Sequence, residues 1–138
     1  MNKFSTPILR IGMGLVVLWF GYQQLSDALP WIGYLPSWTS ALPISQITFV
    51  HLNGWFELTL SLLLLCGFYT RAVALLLALH IANIAFIVGY NAIGVRNFGL
   101  SVALFSLFFS VPDEWSCDML FERRTNEPPT SKLVGIPS

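Results

Sequence analysis

The residue with most chemistry to offer is Glu57, the single formal charge in the apolar run 49–69. An acid at membrane depth costs on the order of 2.5–3.5 kcal/mol even on the lenient insertion scale, so it needs a partner, a role, or both. Asn53, Glu57 and Ser61 recur at i, i+4 and i+8, which puts all three on one helix face. Counted from Phe49, Glu57 lies about 12 Å inside the run at 1.5 Å per residue. Arg96 opens the last apolar run on the same side, and Gln24 closes the first. With Asn91 and Asn97 flanking Arg96, this count gathers Gln24, Asn53, Glu57, Asn91, Arg96 and Asn97 into one half of the molecule. Two chemistries suit them. One is a structural ion pair, Glu57 with Arg96, that fixes helix register; the other is a pocket for a polar or quinone-like head group. His80, Asn83 and Arg10 are secondary candidates. A lone histidine on a helix face is either a satisfied core residue or a ligand contact, and the asparagines are either interhelical hydrogen-bond glue or ligand contacts. Arg10 lies at the opposite end of its run, too far to pair directly with the Glu57 group.

Bulk composition defines the elements that carry these residues. Of 138 residues, 55% are hydrophobic and 10% charged, against roughly 25% charged in a soluble domain. Residues 1–112 hold only Lys3, Arg10, Asp27, Glu57, Arg71 and Arg96 as charged groups. A soluble fold of this size has too much surface to cover with so few. An integral membrane protein is the expectation, in agreement with a mean hydropathy of +0.68. Zero net charge leaves no basic footprint for nucleic acid. Cys66 and Cys117 form no CxxC or metal-ligand spacing, so neither a disulfide framework nor a metal site is expected.

Four spans fit the apolar runs, at about 5–25, 49–69, 72–93 and 97–112, in an all-α bundle. The first begins at Ser5-Thr6-Pro7, a good helix start. Ser26-Asp27-Ala28 resembles a signal-peptide cleavage site behind Lys3 and Arg10, but Pro30 follows closely, and the segment is read as a retained helix. Helical spacing aligns Arg10, Gly14, Val17, Gly21 and Gln24 on one seam of the first run. In the third run, His80, Asn83, Ile87 and Asn91 share one face, and Ala74, Ala78, Ala82, Ala85 and Gly89 the other. In the fourth, Gly99, Ala103, Ser106 and Ser110 make a small-residue stripe suited to close helix packing. The connection 26–47 contains Pro30, Pro36 and Pro43, with Trp31, Tyr34 and Trp38 between them. It reads as an aromatic segment on the membrane surface or, more sharply, as a lid over a pocket. Residues 1–118 form the membrane domain, and 119–138 read as a disordered cytoplasmic tail.

The motifs in order resemble those of the DoxX family of small four-helix membrane proteins. They are Arg10, the run Phe20-Gly21-Tyr22-Gln23-Gln24-Leu25, Asn53-Gly54-Trp55-Phe56-Glu57, Cys66-Gly67-Phe68-Tyr69-Thr70-Arg71, and Gly89-Tyr90-Asn91 with Val95-Arg96-Asn97-Phe98-Gly99-Leu100. The resemblance covers about residues 5–118. Many relatives carry lysine at the position of Gln24 and aspartate at that of Asn97, so a charge relay built on those two is not expected here. The resemblance implies a link to redox complexes, among them the small membrane subunit of an archaeal thiosulfate:quinone oxidoreductase. The expectation is therefore a multi-pass protein of the cell (plasma or inner) membrane serving a quinone-linked oxidoreductase. It carries no evident intrinsic cofactor, with quinone as the candidate ligand. The candidate partners besides the bilayer are a soluble oxidoreductase subunit and a second copy of the chain. The alternative is a non-catalytic anchor or scaffold for a soluble partner.

Orientation follows from the basic residues. Lys3, Arg10, Arg71, Arg123, Arg124 and Lys132 fall on one side of the four-span arrangement, and Arg96 alone on the other. Both termini should be cytoplasmic. Reporter fusions after Ser40 and after Lys132 are expected to land in opposite compartments; the same compartment for both overturns the arrangement.

Overall fold

The computed structural model describes residues 3–110 and 116–126, and all of its regular structure is helical. The elements are α1 (Ser5–Ser26), α2 (Leu29–Ile32), a 3-10 turn (Ser37–Ala41), α3 (Gln46–Cys66), α4 (Thr70–Val88), α5 (Ala92–Phe108) and α6 (Cys117–Asn126). By length and composition α1, α3 and α4 can each cross a membrane, and α5 is a shorter apolar helix of 17 residues. Large apolar side chains such as Ile8, Leu15, Trp19, Leu52, Trp55, Leu79 and Phe98 point outward. Water would penalise that surface and lipid does not.

The helix ends differ from the expected spans for local reasons. Ser45 caps α3, its hydroxyl accepting from Thr48 N at 3.1 Å, so this helix starts three residues before Phe49. Helix α4 stops at Val88, not at residue 93, because Gly89 takes φ 84 and ψ −163, a backbone state open in practice to glycine alone. Asn91 then starts α5 early: its side chain accepts from Ile93 N and Gly94 N, both at 3.0 Å.

Two antiparallel pairs make the bundle. Helix α1 packs along α3 and α4 along α5, while α3–α4 and α1–α5 touch over shorter stretches. The seam expected on α1 is real, for Arg10, Gly14, Val17, Gly21 and Gln24 are all buried. Where α1 crosses α3 the backbones nearly touch. A Cβ at Gly21 would lie 2.9 Å from both Gly54 O and Leu58 N. The small stripe on α5 is a correction. Gly99 and Ser106 are exposed, and the buried face is Gly94, Asn97, Ser101, Leu104 and Leu107. Ser101 fixes that face by donating to Ala78 O at 2.9 Å.

A second correction concerns the tail. Residues 117–126 are helical where disorder was expected from 119; residues 127–138 lie outside the described residues, as does the expected end of the last span at Pro112. The Asp118 carboxylate accepts from Tyr69 N at 2.7 Å and Thr70 N at 2.8 Å, satisfying two orphan donors at the start of α4. Asp118 N donates to Gly67 O, and the Phe68 and Phe121 rings meet at 5.8 Å. Tertiary contacts thus hold a segment whose composition is polar.

The Gly21–Gly54 crossing sets a test. Gly21→Ala should destabilise the protein by about 1–3 kcal/mol, because the obstructing atoms are backbone. Gly12→Ala, with nothing within 4 Å of the new Cβ, should be neutral or slightly stabilising. Thermal unfolding of both variants in one detergent decides it.

Candidate functional site: a buried polar cluster under an aromatic lid

The two helix pairs part at the end where α1 and α4 finish and α3 and α5 begin, leaving a cavity of ≈ 550 Å³. That volume lies within the ordinary range for small-molecule sites. Its floor is built around Glu57, which is 3% exposed. Gln24 Nε2, on α1, donates to Glu57 Oε2 at 2.8 Å. Asn53 Nδ2, one turn earlier on α3, donates to Glu57 Oε1 at 3.2 Å and to Gln24 Oε1 at 2.6 Å. From α4, His80 Nε2 stands 3.0 Å from Glu57 Oε1. Hydrogen bonds to an ionised group are worth about 1.5–3 kcal/mol each, so these contacts offset much of the cost of burying the carboxylate. The Phe56 ring sits 4.9 Å from the imidazole and steadies it.

Arg96 is the principal correction, because it does not bridge to Glu57. Its guanidinium lies over the Phe20 ring at 4.9 Å and donates to Asn97 Oδ1 at 3.3–3.4 Å. It lines the same cavity as Glu57 with Asn97 beside it. Gln24, Asn53 and His80 hold three of the roughly four lone-pair sites of Glu57. Asn91 is the second correction. It lies outside the cavity lining and caps α5, with its amide donating to Val88 O at 3.1 Å. Arg10 belongs to the far end of the bundle. Though 1% exposed, it donates to Leu64 O at 2.9 Å and Leu65 O at 2.5 Å in the last turn of α3, where Leu64 O also accepts from Gly67 N. Asn83 lines the cavity, and its amide makes no hydrogen bond among the described residues.

The pairing of Glu57 with His80 escaped the depth count for a simple reason. With α4 running to residue 93, His80 would sit about 20 Å from that end, far below Glu57. The break at Gly89 brings it to about 12 Å, and the early start of α3 puts Glu57 at about 16 Å. The cap at Ser45 and the helix-breaking glycine were the available signals.

The connection 26–47 contributes to the cavity wall, so it does more than lie on the membrane surface. Pro30, Trp31, Tyr34, Pro36 and Trp38 all line it. Edge-to-face ring contacts pin the segment in place: Trp31 to Phe20 at 6.1 Å, Trp31 to Tyr34 at 6.3 Å, and Trp38 to Phe49 at 6.1 Å. Thr39, 1% exposed, closes the 3-10 turn by donating to Pro36 O at 2.7 Å. The site is therefore an apolar, aromatic chamber with a polar floor. It can hold a flat amphipathic molecule and offer it hydrogen bonds from one side.

Apolar helices long enough to cross a membrane, with a cavity between them at one end, define this chain as an integral membrane protein. The DoxX family profile matches residues 6–90, more than half of the chain, and the protein belongs to that family. The match runs from α1 through α4 and stops before Arg96 and Asn97. No curated protein and no solved structure matches the chain.

The geometry predicts that Glu57 couples to His80 and not to Arg96. In double-mutant cycles of Glu57→Gln with His80→Gln, detergent stability should depart from additivity by about 1–3 kcal/mol. The cycle of Glu57→Gln with Arg96→Gln should add to within about 0.5 kcal/mol. The reverse pattern overturns the assignment.

Proposed function

We propose that this DoxX-family protein is the membrane subunit of a quinone-linked oxidoreductase and that its cavity takes the quinone head group. The observation that carries the reading is the Glu57–His80 contact at the floor of an aromatic-lined chamber. A quinone presents two carbonyl acceptors on a flat ring and exchanges protons when reduced or oxidised. Asn83 and Asn97 amides, with the Arg96 guanidinium, supply donors on the cavity wall. Trp31, Tyr34 and Ile87 supply apolar surface for the ring and the start of its tail. Glu57 and His80 are two groups able to hold one proton between them, in either direction, 3.0 Å apart. Electrons must then come from a soluble partner subunit.

The accompanying topology is four spans in the cell membrane, with α5 as the fourth and both termini cytoplasmic. Seventeen residues reach about 25 Å, the short end of the spanning range. The Lys/Arg asymmetry supports this orientation.

Purification in mild detergent followed by solvent extraction should yield bound quinone. Decylubiquinone should quench tryptophan fluorescence saturably, since Trp19, Trp31 and Trp38 all line the cavity. Asn83→Ala should weaken that binding about tenfold, the effect of one lost hydrogen bond. Absence of both extracted quinone and saturable quenching defeats the proposal. A soluble protein co-purifying without quinone would instead favour the anchor role.

A further inference from the structure

We infer that the Glu57–His80 pair exchanges protons with one face of the membrane only, the face that carries the connection 26–47. The inference rests on the proposed role of this pair in proton transfer and adds its direction. Toward the connection, the route from Glu57 runs through the cavity past polar side chains. Gln23 and Asp27, at the end of α1, line the same cavity, and Asp27 is exposed. Besides Glu57, the ionisable groups around the chamber are Asp27 from the end of α1, Tyr34 from the connection, His80 from α4 and Arg96 from α5.

Toward the other end the route is dry. Val17, Leu64, Leu77, Ala78 and Leu104, all at 0% exposure, fill the section between Glu57 and Arg10. Two hydroxyls lie in that section, and each is turned to a backbone carbonyl. Ser61 Oγ donates to Leu58 O at 2.8 Å and Ser101 Oγ to Ala78 O at 2.9 Å. Neither donates onward to the other or to Glu57, so among the described residues no hydrogen-bonded chain leads to the Arg10 end. The side chains packed around these hydroxyls are apolar and fully enclosed. Arg10 is itself engaged with the carbonyls of Leu64 and Leu65. A proton leaving Glu57 or His80 therefore passes through the chamber and out beside Asp27.

The test uses thiols: a thiolate attacks an impermeant methanethiosulfonate reagent, forming a mixed disulfide and releasing methanesulfinate, so labelling requires both water and a place for the thiol proton to go. In the full chain with Cys66→Ser and Cys117→Ser, Asn83→Cys places the probe in the chamber at a position that bonds nothing in the cluster. Ser101→Cys places a second probe in the dry section. Ser40→Cys and Thr125→Cys mark the two faces in sealed vesicles of each orientation. Asn83→Cys should be labelled at least tenfold faster from the Ser40 face than from the Thr125 face, and Ser101→Cys should resist labelling from both. Labelling of either chamber or core probe from the Thr125 face, or no labelling of Asn83→Cys from the Ser40 face, overturns the inference. Protection of Asn83→Cys by decylubiquinone is scored separately, at concentrations well above those that saturate the quenching of the unsubstituted protein, to offset the roughly tenfold loss expected from removing the Asn83 amide. One-sided labelling without protection would remove the quinone and leave the one-sided access standing.

Discussion

A carboxylate held among lipid-embedded helices has to find hydrogen-bond partners within its own fold, and Glu57 finds them on α1, on α3 and on α4. That requirement organises the bundle. Gln24 reaches Glu57 only because α1 and α3 cross backbone to backbone at Gly21 and Gly54. His80 reaches it only because α4 ends at Gly89, which sets the histidine at a depth close to that of the acid. Satisfying one charge therefore ties together the two helix pairs at the point where they otherwise separate.

The separation is what makes a site. Along most of its length the bundle is closed by Leu64, Leu77 and Leu104 and their neighbours. At one end the pairs part, and the aromatic connection covers the gap. The polar floor and the apolar lid have different energetic origins. The floor exists because buried polar groups must be paired. The lid stays because Trp31 packs edge-to-face on Phe20 and Tyr34, and Trp38 on Phe49. Together they produce an amphipathic chamber, the shape complementary to a ring with polar substituents and an apolar tail.

Arg10 and Arg96 show how one residue type serves two ends of the same molecule. Arg10 is fully enclosed and binds two carbonyls in the last turn of α3, so it contributes to holding α1 against the end of that helix. Arg96 lies at the chamber wall, stacked on Phe20 and bonded only at long range to Asn97. A guanidinium so placed retains donors for a visiting group. The two roles follow from neighbours and not from charge.

Much of this was legible in the residues themselves. The scarcity of charge before residue 112 required a membrane protein, and the spacing of Arg10, Gly14, Val17, Gly21 and Gln24 named the buried seam of α1. Periodicity along a single helix is a local property, and it survives folding. The chemistry of Glu57 was legible as a demand: a buried acid must have partners. Which partners it has was decided by tertiary structure. Arg96 has the opposite charge and the expected side, yet His80, Gln24 and Asn53 hold the acid. Pairing across helices depends on relative depth and rotation, and a shift of five residues at the end of α4 moves His80 by about 7 Å along the axis. The same reasoning covers α5, where Gly99 and Ser106 of the small stripe are exposed, Ala103 packs on the core, and Asn97 and Ser101 turn in. Sequence spacing states which residues share a face. Only the packed bundle, where each polar group competes for a finite set of donors and acceptors, determines what that face meets.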